Sequence, residues 1–162
     1  MEIEKKFQVK ILPENLEEFP KKEIEQGYLC VNPVVRIRKS NERFILTYKS
    51  RNGVEKTISD AQMSQEIEVL LTEEAYLHLR EKVDNHFITK TRYVIPLPDG
   101  HKGELDIFHG LLEGLFFIEV EFLSEEDAQN FVPPDWFGAN VSEDERYTNS
   151  FLSKCDSLDV FR

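Results

Sequence analysis

Charged residues of one sign recur in this chain at a step of two, and that pattern dictates what the chain can fold into. Glu2 and Glu4 are followed at the same step by Lys6, and then come Arg36 and Arg38, Glu66 and Glu68, Lys90 and Arg92, Glu104 and Asp106, and Glu119 and Glu121. Lys49 stands in phase with Thr47. In an extended chain, side chains two apart point to the same face. The residues between the charges are mostly apolar: Ile3 and Phe7, Val35 and Ile37, Phe44, Leu46 and Tyr48, Ile67 and Val69, Leu105 and Ile107, Val120 and Phe122. Each strand therefore has one ionic and one greasy face.

The alternation predicts strands at 2–9, 22–29, 34–40, 43–50, 54–58, 65–71, 86–96, 103–109 and 115–122. Asn32-Pro33, Asn52-Gly53, Pro98-Asp99-Gly100 and His109-Gly110 supply turn chemistry between them, which suits antiparallel hairpins. Short helices are predicted over 13–19, over 72–83 and over 124–131; the second begins at Thr72 with Glu73 and Glu74 in its first turn. Ser142 and Glu145 have capping-box spacing, and Tyr147, Phe151 and Cys155 recur every four residues after them, predicting an amphipathic C-terminal helix. The fold class is α+β, mainly antiparallel β.

At 162 residues the chain reads as a single domain, 1–162, with enough sequence to bury a core. Its net charge of −11 argues against a nucleic-acid partner, since phosphate backbones call for a basic surface, but not against bound divalent cations. No apolar run is long enough to cross a bilayer, and charge begins at Glu2, so neither a membrane association nor a secretory signal is expected. Cys30 and Cys155 have no CxxC partner and read as reduced thiols in a cytoplasm. His78, His86, His101 and His109 lack zinc-site spacing.

Two arrangements satisfy the charge pattern. An open antiparallel sheet would put the ionic face in solvent. A ring of strands closed with that face inward would enclose a charge-lined, water-filled lumen. Single-sign pairs and the prominence of Arg, which suits bidentate phosphate contacts, weaken the first, and the pattern alone leaves both arrangements open. Carboxylates facing one space repel unless a cation joins them, and hard oxygen ligands select Mg²⁺ or Mn²⁺. Arginines and lysines in the same space await a polyanion. Metal, polyanion and water together describe phosphoryl transfer.

The start Glu2-Ile3-Glu4-Lys5-Lys6-Phe7 resembles the N-terminal signature of the CYTH superfamily, the triphosphate tunnel metalloenzymes. In order there follow Ile24-Glu25-Gln26-Gly27-Tyr28-Leu29, Val35-Arg36-Ile37-Arg38, Thr47-Tyr48-Lys49, Gln65-Glu66-Ile67-Glu68, Lys90-Thr91-Arg92-Tyr93, Glu104-Leu105-Asp106-Ile107-Phe108, Gly114-Leu115 and Ile118-Glu119-Val120-Glu121-Phe122. Asp144-Glu145-Arg146-Tyr147-Thr148-Asn149 resembles the family's C-terminal helix. The resemblance spans nearly the whole chain and implies a closed eight-stranded tunnel barrel with short flanking helices. Carried over residue by residue, Glu2, Glu4, Asp106, Glu119 and Glu121 look like the metal set, and Lys6, Arg36, Arg38, Lys49, Lys90 and Arg92 like the phosphate set. Lys6 and Tyr28 look like catalytic residues, although a phenol near its ordinary pKa of about 10 is a poor base, and a packed or hydrogen-bonding Tyr is an equal reading. Glu66, Glu68 and Glu104 fall on motif positions as metal ligands or as charge balance for the basic side chains.

Within the superfamily the start and the Glu-Gln-Gly-Tyr-Leu run most resemble the bacterial inorganic triphosphatases. The implied function is metal-dependent hydrolysis of the terminal phosphate of a small triphosphate: tripolyphosphate first, with ATP or thiamine triphosphate as other substrates. A class IV-type adenylate cyclase, a thiamine or nucleoside triphosphatase, a non-catalytic polyphosphate- or nucleotide-binding module and a plain structural β-domain are the alternatives. A homodimer is compatible with the sequence. The C-terminal helix is expected either to pack on the outer apolar face or to close one mouth of the tunnel.

Overall fold

The computed structural model describes residues 1–54 and 60–162. Its strands are β1 (Glu2–Val9), β2 (Lys21–Val31), β3 (Val34–Ser40), β4 (Arg43–Ser50), β5 (Gln62–Leu70), β6 (Asp84–Pro96), β7 (Lys102–Phe108), β8 (Phe116–Glu121) and β9 (Phe137–Asn140). The strand expected at 54–58 lies, apart from Val54, outside the described residues. All pairings are antiparallel, and the order β5-β4-β3-β2-β6-β7-β8-β1 is closed by a β1–β5 ladder, Glu2 opposite Ser64 and Glu4 opposite Gln62. The result is a closed eight-stranded barrel, with no solvated sheet edge between first and last strand.

β9, which the alternation does not announce, takes over the edge of β1 where β5 leaves it, with Phe7 opposite Asn140 and Val9 opposite Phe137. One edge of β1 thus pairs with β8, and the other passes from β5 to β9.

Helices α1 (Glu73–Arg80) and α2 (Glu125–Asn130) lie where the caps predicted them: Thr72 accepts from the Ala75 amide and Ser124 from the Asp127 amide. α2 and β9 cover the outer apolar face of β1 and β6–β8, burying Ile3, Phe7, Leu105, Ile118, Val120 and Phe122 with Ala128, Phe131 and Phe137. α1 covers part of β3–β4, its Tyr76 ring 5.1 Å from that of Phe44. The expected apolar face is not covered throughout: Ile67 is 61% exposed and Val69 49% on β5. Residues 13–19 form only a single 3₁₀ turn at Leu16–Glu18.

The C-terminal helix departs most from expectation. A 3₁₀ turn at Glu145–Tyr147 is followed by a separate short α3 (Asn149–Leu152). Two local caps break the segment. Asp144 accepts from the Arg146 amide, and Thr148, extended at ψ 141°, accepts from the Phe151 amide. The Ser142–Glu145 capping box does not form, because the Ser142 hydroxyl accepts from the backbone N–H of Lys6 at 2.9 Å. Tyr147 and Leu152 are buried against Tyr28, Ile88, Phe108 and Phe117, which occupy the inward phase of their strands at one end of the barrel. The segment therefore closes that end with an apolar plug.

Candidate active site

Above the plug the barrel interior is ionic and encloses a cavity of about 1160 Å³. Its wall includes Glu2, Glu4, Lys6, Tyr28, Arg36, Arg38, Lys49, Glu66, Glu68, Arg92, Glu104, Glu119 and Glu121. Register explains the convergence. Tyr28 stands opposite Arg36, Arg36 opposite Thr47, and Thr47 opposite Glu68. On the other side Glu4 stands opposite Glu121, and Lys6 opposite Glu119, which faces Glu104. Directly opposed residues share a face, so each single-sign pair meets its counterpart across the ladder.

Glu2, Glu4 and Glu121 form the acidic corner, each offering a carboxylate oxygen within 4.8 Å of the others. Lys49 reaches into it, with Nζ 2.6 Å from Glu2 Oε1 and 3.3 Å from Glu4 Oε1. Burial, and then the charge of Glu119, push Glu4 up to about 8. Burial, and then the charges of Glu2 and Glu104, push Glu121 up to about 7. Burial and hydrogen bonds with Glu68 and Glu2 raise Glu66 to about 8. Glu2 is held below the ordinary value: burial opposes this, but the Lys49 charge and hydrogen bonds from Glu66 and Lys49 outweigh it. Carboxyl groups that burial and mutual repulsion drive toward protonation, gathered as oxygen ligands beside the single Lys49 ammonium, fit a divalent cation.

Glu119 and Asp106, both read from the resemblance as metal ligands, are placed differently from that corner. Glu119 Oε1 lies 3.6 Å from Lys6 Nζ, and against the cost of burial Lys6, Arg92 and Lys90 hold its carboxyl far below the usual range. Asp106 is absent from the cavity wall and fully sealed from solvent. Its Oδ2 accepts from Lys90 Nζ at 2.8 Å and from Arg92 Nη2 at 2.9 Å, and its Oδ1 from Arg92 Nε at 2.8 Å. Both oxygens are thus committed to cations, so the geometry separates Asp106 from the metal corner. Burial works to protonate it, and Arg92 and then Lys90 keep it ionised.

The phosphate set divides as well. Lys90 does not reach the cavity wall; it is buried between Asp106 and Asn149 Oδ1, the latter 3.2 Å away in α3. Arg92 reaches the cavity while bound to Asp106 and Glu104. Among the described residues Arg36 and Arg38 face the cavity beside neutral partners only, Thr47 Oγ1 at 3.2 Å and Gln26 Oε1 at 2.9 Å. Burial, then the charges of Arg36 and Arg92, lower Arg38 to about 9, with Asp106 partly opposing them. Lys6 lies between Glu119 and the Tyr147 carbonyl, its Nζ 4.6 Å above the Phe117 ring. Tyr28 is buried on the apolar floor, its hydroxyl 3.5 Å from Gln26 Nε2.

The charge pattern does not single out Gln26, Ser142, Tyr147 or Asn149. Gln26 carries a readable signal, being in phase with Tyr28 on β2; the other three lie beyond the alternating strands, where capping spacing and the resemblance mark the segment but not its contacts with the site.

A closed antiparallel barrel, with an acidic corner facing arginines that have no ion-pair partner among the described residues, defines the class: a barrel whose charged interior suits a small polyanion. No family model matches the chain. It is 38% identical over 155 residues to an inorganic triphosphatase of Nitrosomonas europaea, covering 94% of this chain and 96% of that one. It is 38% identical over 131 residues to an inorganic triphosphatase of Acetivibrio thermocellus, covering 80% and 78%. The crystal structure of the inorganic triphosphatase NE1496 superposes with a TM-score of 0.68 at 37% identity, over 96% of this chain and 95% of that one. The Hippeastrum protein HpAC1, described as having a dominant triphosphatase activity, shares the fold at a TM-score of 0.58 and 18% identity, over 80% and 83%. The chain belongs to the inorganic triphosphatase family.

Proposed function

We propose that this protein hydrolyses the terminal phosphate of inorganic tripolyphosphate with a divalent cation, Mg²⁺ or Mn²⁺, as a member of the CYTH superfamily. The observation that carries the reading is that Glu2, Glu4 and Glu121 face the same cavity as Arg36 and Arg38. Simple binding of a polyanion gains nothing from a carboxylate corner, whereas a polyphosphate bound together with a cation that the corner would hold uses both sides.

Glu2, Glu4 and Glu121 would hold the cation, which supplies Lewis-acid charge to phosphoryl oxygens when bound. Phosphoryl transfer spreads charge over the equatorial oxygens in its transition state, so fixed donors aimed at those oxygens carry much of the catalysis. Arg36 and Arg38 bind and orient the phosphate chain, and Lys49, between the acidic corner and the arginines, neutralises oxygens near the reacting end. Lys6, fixed by Glu119, the Tyr147 carbonyl and the Phe117 ring, offers ammonium protons to the cavity at its inner end. Tyr28 stands opposite Arg36 and offers its hydroxyl at the same depth. The apolar plug keeps bulk water out from that side.

The test gives metal-stripped protein tripolyphosphate, ATP and thiamine triphosphate in parallel, with Mg²⁺, with Mn²⁺ and with excess chelator, and measures phosphate and cyclic AMP. Fastest phosphate release from tripolyphosphate, abolished by chelator, is expected. Release unaffected by chelator would overturn the metal requirement, and cyclic AMP from ATP would move the chain to the cyclase reading.

A further inference from the structure

The cations of the barrel interior are held in two chemically different ways. Lys6, Lys49, Lys90 and Arg92 each have a carboxylate partner. Arg36 and Arg38 form no ion pair among the described residues. Each is instead met by one uncharged oxygen from the neighbouring strand. Arg38 stands directly opposite Gln26 across β2 and β3, and its Nε donates to Gln26 Oε1 at 2.9 Å. Arg36 stands directly opposite Thr47 across β3 and β4, and its Nη2 donates to Thr47 Oγ1 at 3.2 Å. Gln26 and Thr47 are both fully buried. The Arg36 Nε is buried with no hydrogen-bond partner among the described residues.

We propose that Gln26 and Thr47 are positioning residues, neutral acceptors that aim Arg38 and Arg36 at the phosphate chain while leaving both guanidinium charges uncompensated. This rests on the reading of Arg36 and Arg38 as phosphate ligands. A buried guanidinium must be fixed in orientation to form bidentate contacts, and a carboxylate is its ordinary anchor. A carboxylate at that distance in a low-dielectric interior would cancel the charge that draws the substrate. An amide or hydroxyl oxygen supplies direction without cancellation. The Gln26 amide is itself oriented: Oε1 must accept from Arg38, which turns Nε2 toward the Tyr28 hydroxyl at 3.5 Å. Tyr28, Gln26 and Arg38 therefore form one chain of oriented polar groups along the wall.

Gln26→Glu discriminates this role from simple satisfaction of a buried arginine, because the change keeps shape and the acceptor for Arg38 while adding charge; the Nε2 donor it replaces faces the Tyr28 hydroxyl, which can donate to the new oxygen instead. Steady-state kinetics on tripolyphosphate with Mg²⁺ would be measured beside thermal melting. The positioning role predicts a rise in KM of about ten- to a hundredfold, the scale of one charge-assisted phosphate contact, with a smaller change in kcat and a melting temperature held or raised by the new ion pair. Thr47→Val, which removes only the hydroxyl, should also raise KM, and Thr47→Ser should restore it. These two variants decide the matter if Gln26→Glu does not fold. A folded Gln26→Glu or Thr47→Val protein whose KM stays within about twofold of the parent would overturn the proposal, a change too small for a lost contact. Arg38→Ala serves as the reference. If it too leaves KM unchanged, the phosphate reading of Arg38 fails; if it raises KM while Gln26→Glu does not, only the positioning role fails.

Discussion

Asp106 and Lys90 form an ion pair at 2.8 Å in which both side chains are wholly withdrawn from solvent. Arg92 completes the group from the cavity side through Asp106 Oδ1 and Oδ2. The pair lies where the ionic interior meets the apolar plug, since Lys90 also donates to Asn149 of α3 and lies 5.4 Å from the Phe108 ring. An ionic contact this deep is worth more as a constraint on geometry than as net stability.

Asp106→Asn should therefore act on stability before chemistry. Removing one partner strands two buried cations, a change that costs about 3–5 kcal/mol. Urea denaturation should report that loss, while Mg²⁺ binding, followed by calorimetry on the folded variant, stays near that of the parent. A large fall in metal affinity with stability unchanged would place Asp106 in the metal set.

Glu4→Gln and Glu121→Gln should do the opposite. A neutral amide is a poor ligand for a hard cation, so metal affinity and turnover fall together. Stability without metal should hold or rise, because each substitution removes a carboxylate from a crowded corner. Unchanged Mg²⁺ affinity in both variants would exclude that corner as the site.

The same corner sets a pH dependence. Glu4 and Glu66 at about 8 and Glu121 at about 7 lie above the unfolded value of 4.5. Their stabilising contribution is complete below 4.5 and is lost as pH rises through 7–8. Glu2, Glu119 and Asp106 are depressed, so theirs is present above the unfolded pKa and lost on acidification. Lys90, lowered to about 7 by burial, works the other way and adds stability as pH rises above 7. Melting of chelator-treated protein should therefore be highest at about pH 5 and decline as pH rises toward about 7, and Mg²⁺ should reverse that decline and release protons on binding. A melting temperature that climbs steadily to pH 8 in chelator would contradict this.

Arg38→Ala should weaken tripolyphosphate binding by about ten- to a hundredfold, one charge-assisted contact, with less effect on kcat. Kinetics that match the parent in both constants would make Arg38 a wall residue without a substrate role.

Leu152→Ala tests the plug. Leu152 is 1% exposed among Tyr28, Phe117 and Tyr147, so truncation should cost about 2–5 kcal/mol. Deleting everything after Pro134 should be worse, because it also removes β9 from the edge of β1 and the Ser142 contact to Lys6. A deletion that melts like the full chain would show that the segment is not part of the cooperative core.

The alternation by itself determined which side chains share a face on each strand, because a period of two is a property of the extended backbone alone. Local residue types likewise determined the turns at Asn32-Pro33 and Pro98-Asp99-Gly100 and the caps of α1 and α2. Glu2 with Glu4, Arg36 with Arg38 and Glu119 with Glu121 were legible as same-face pairs before any strand had a neighbour. Only the tertiary structure decided which pairs meet. Closure of β1 on β5 and the register of β8 bring Glu121 to Glu4 and leave Glu119 to Lys6, while the register of β6 on β7 gives both oxygens of Asp106 to Lys90 and Arg92. Register is fixed by burial over many residues distant in sequence, and no local period encodes it. The C-terminal segment makes the same point. Its apolar spacing suggested one helix, but Ser142 was drawn to the Lys6 amide and Thr148 began a new turn, because Tyr147 and Leu152 bury more fully against the open end of a barrel that the segment's own sequence does not describe.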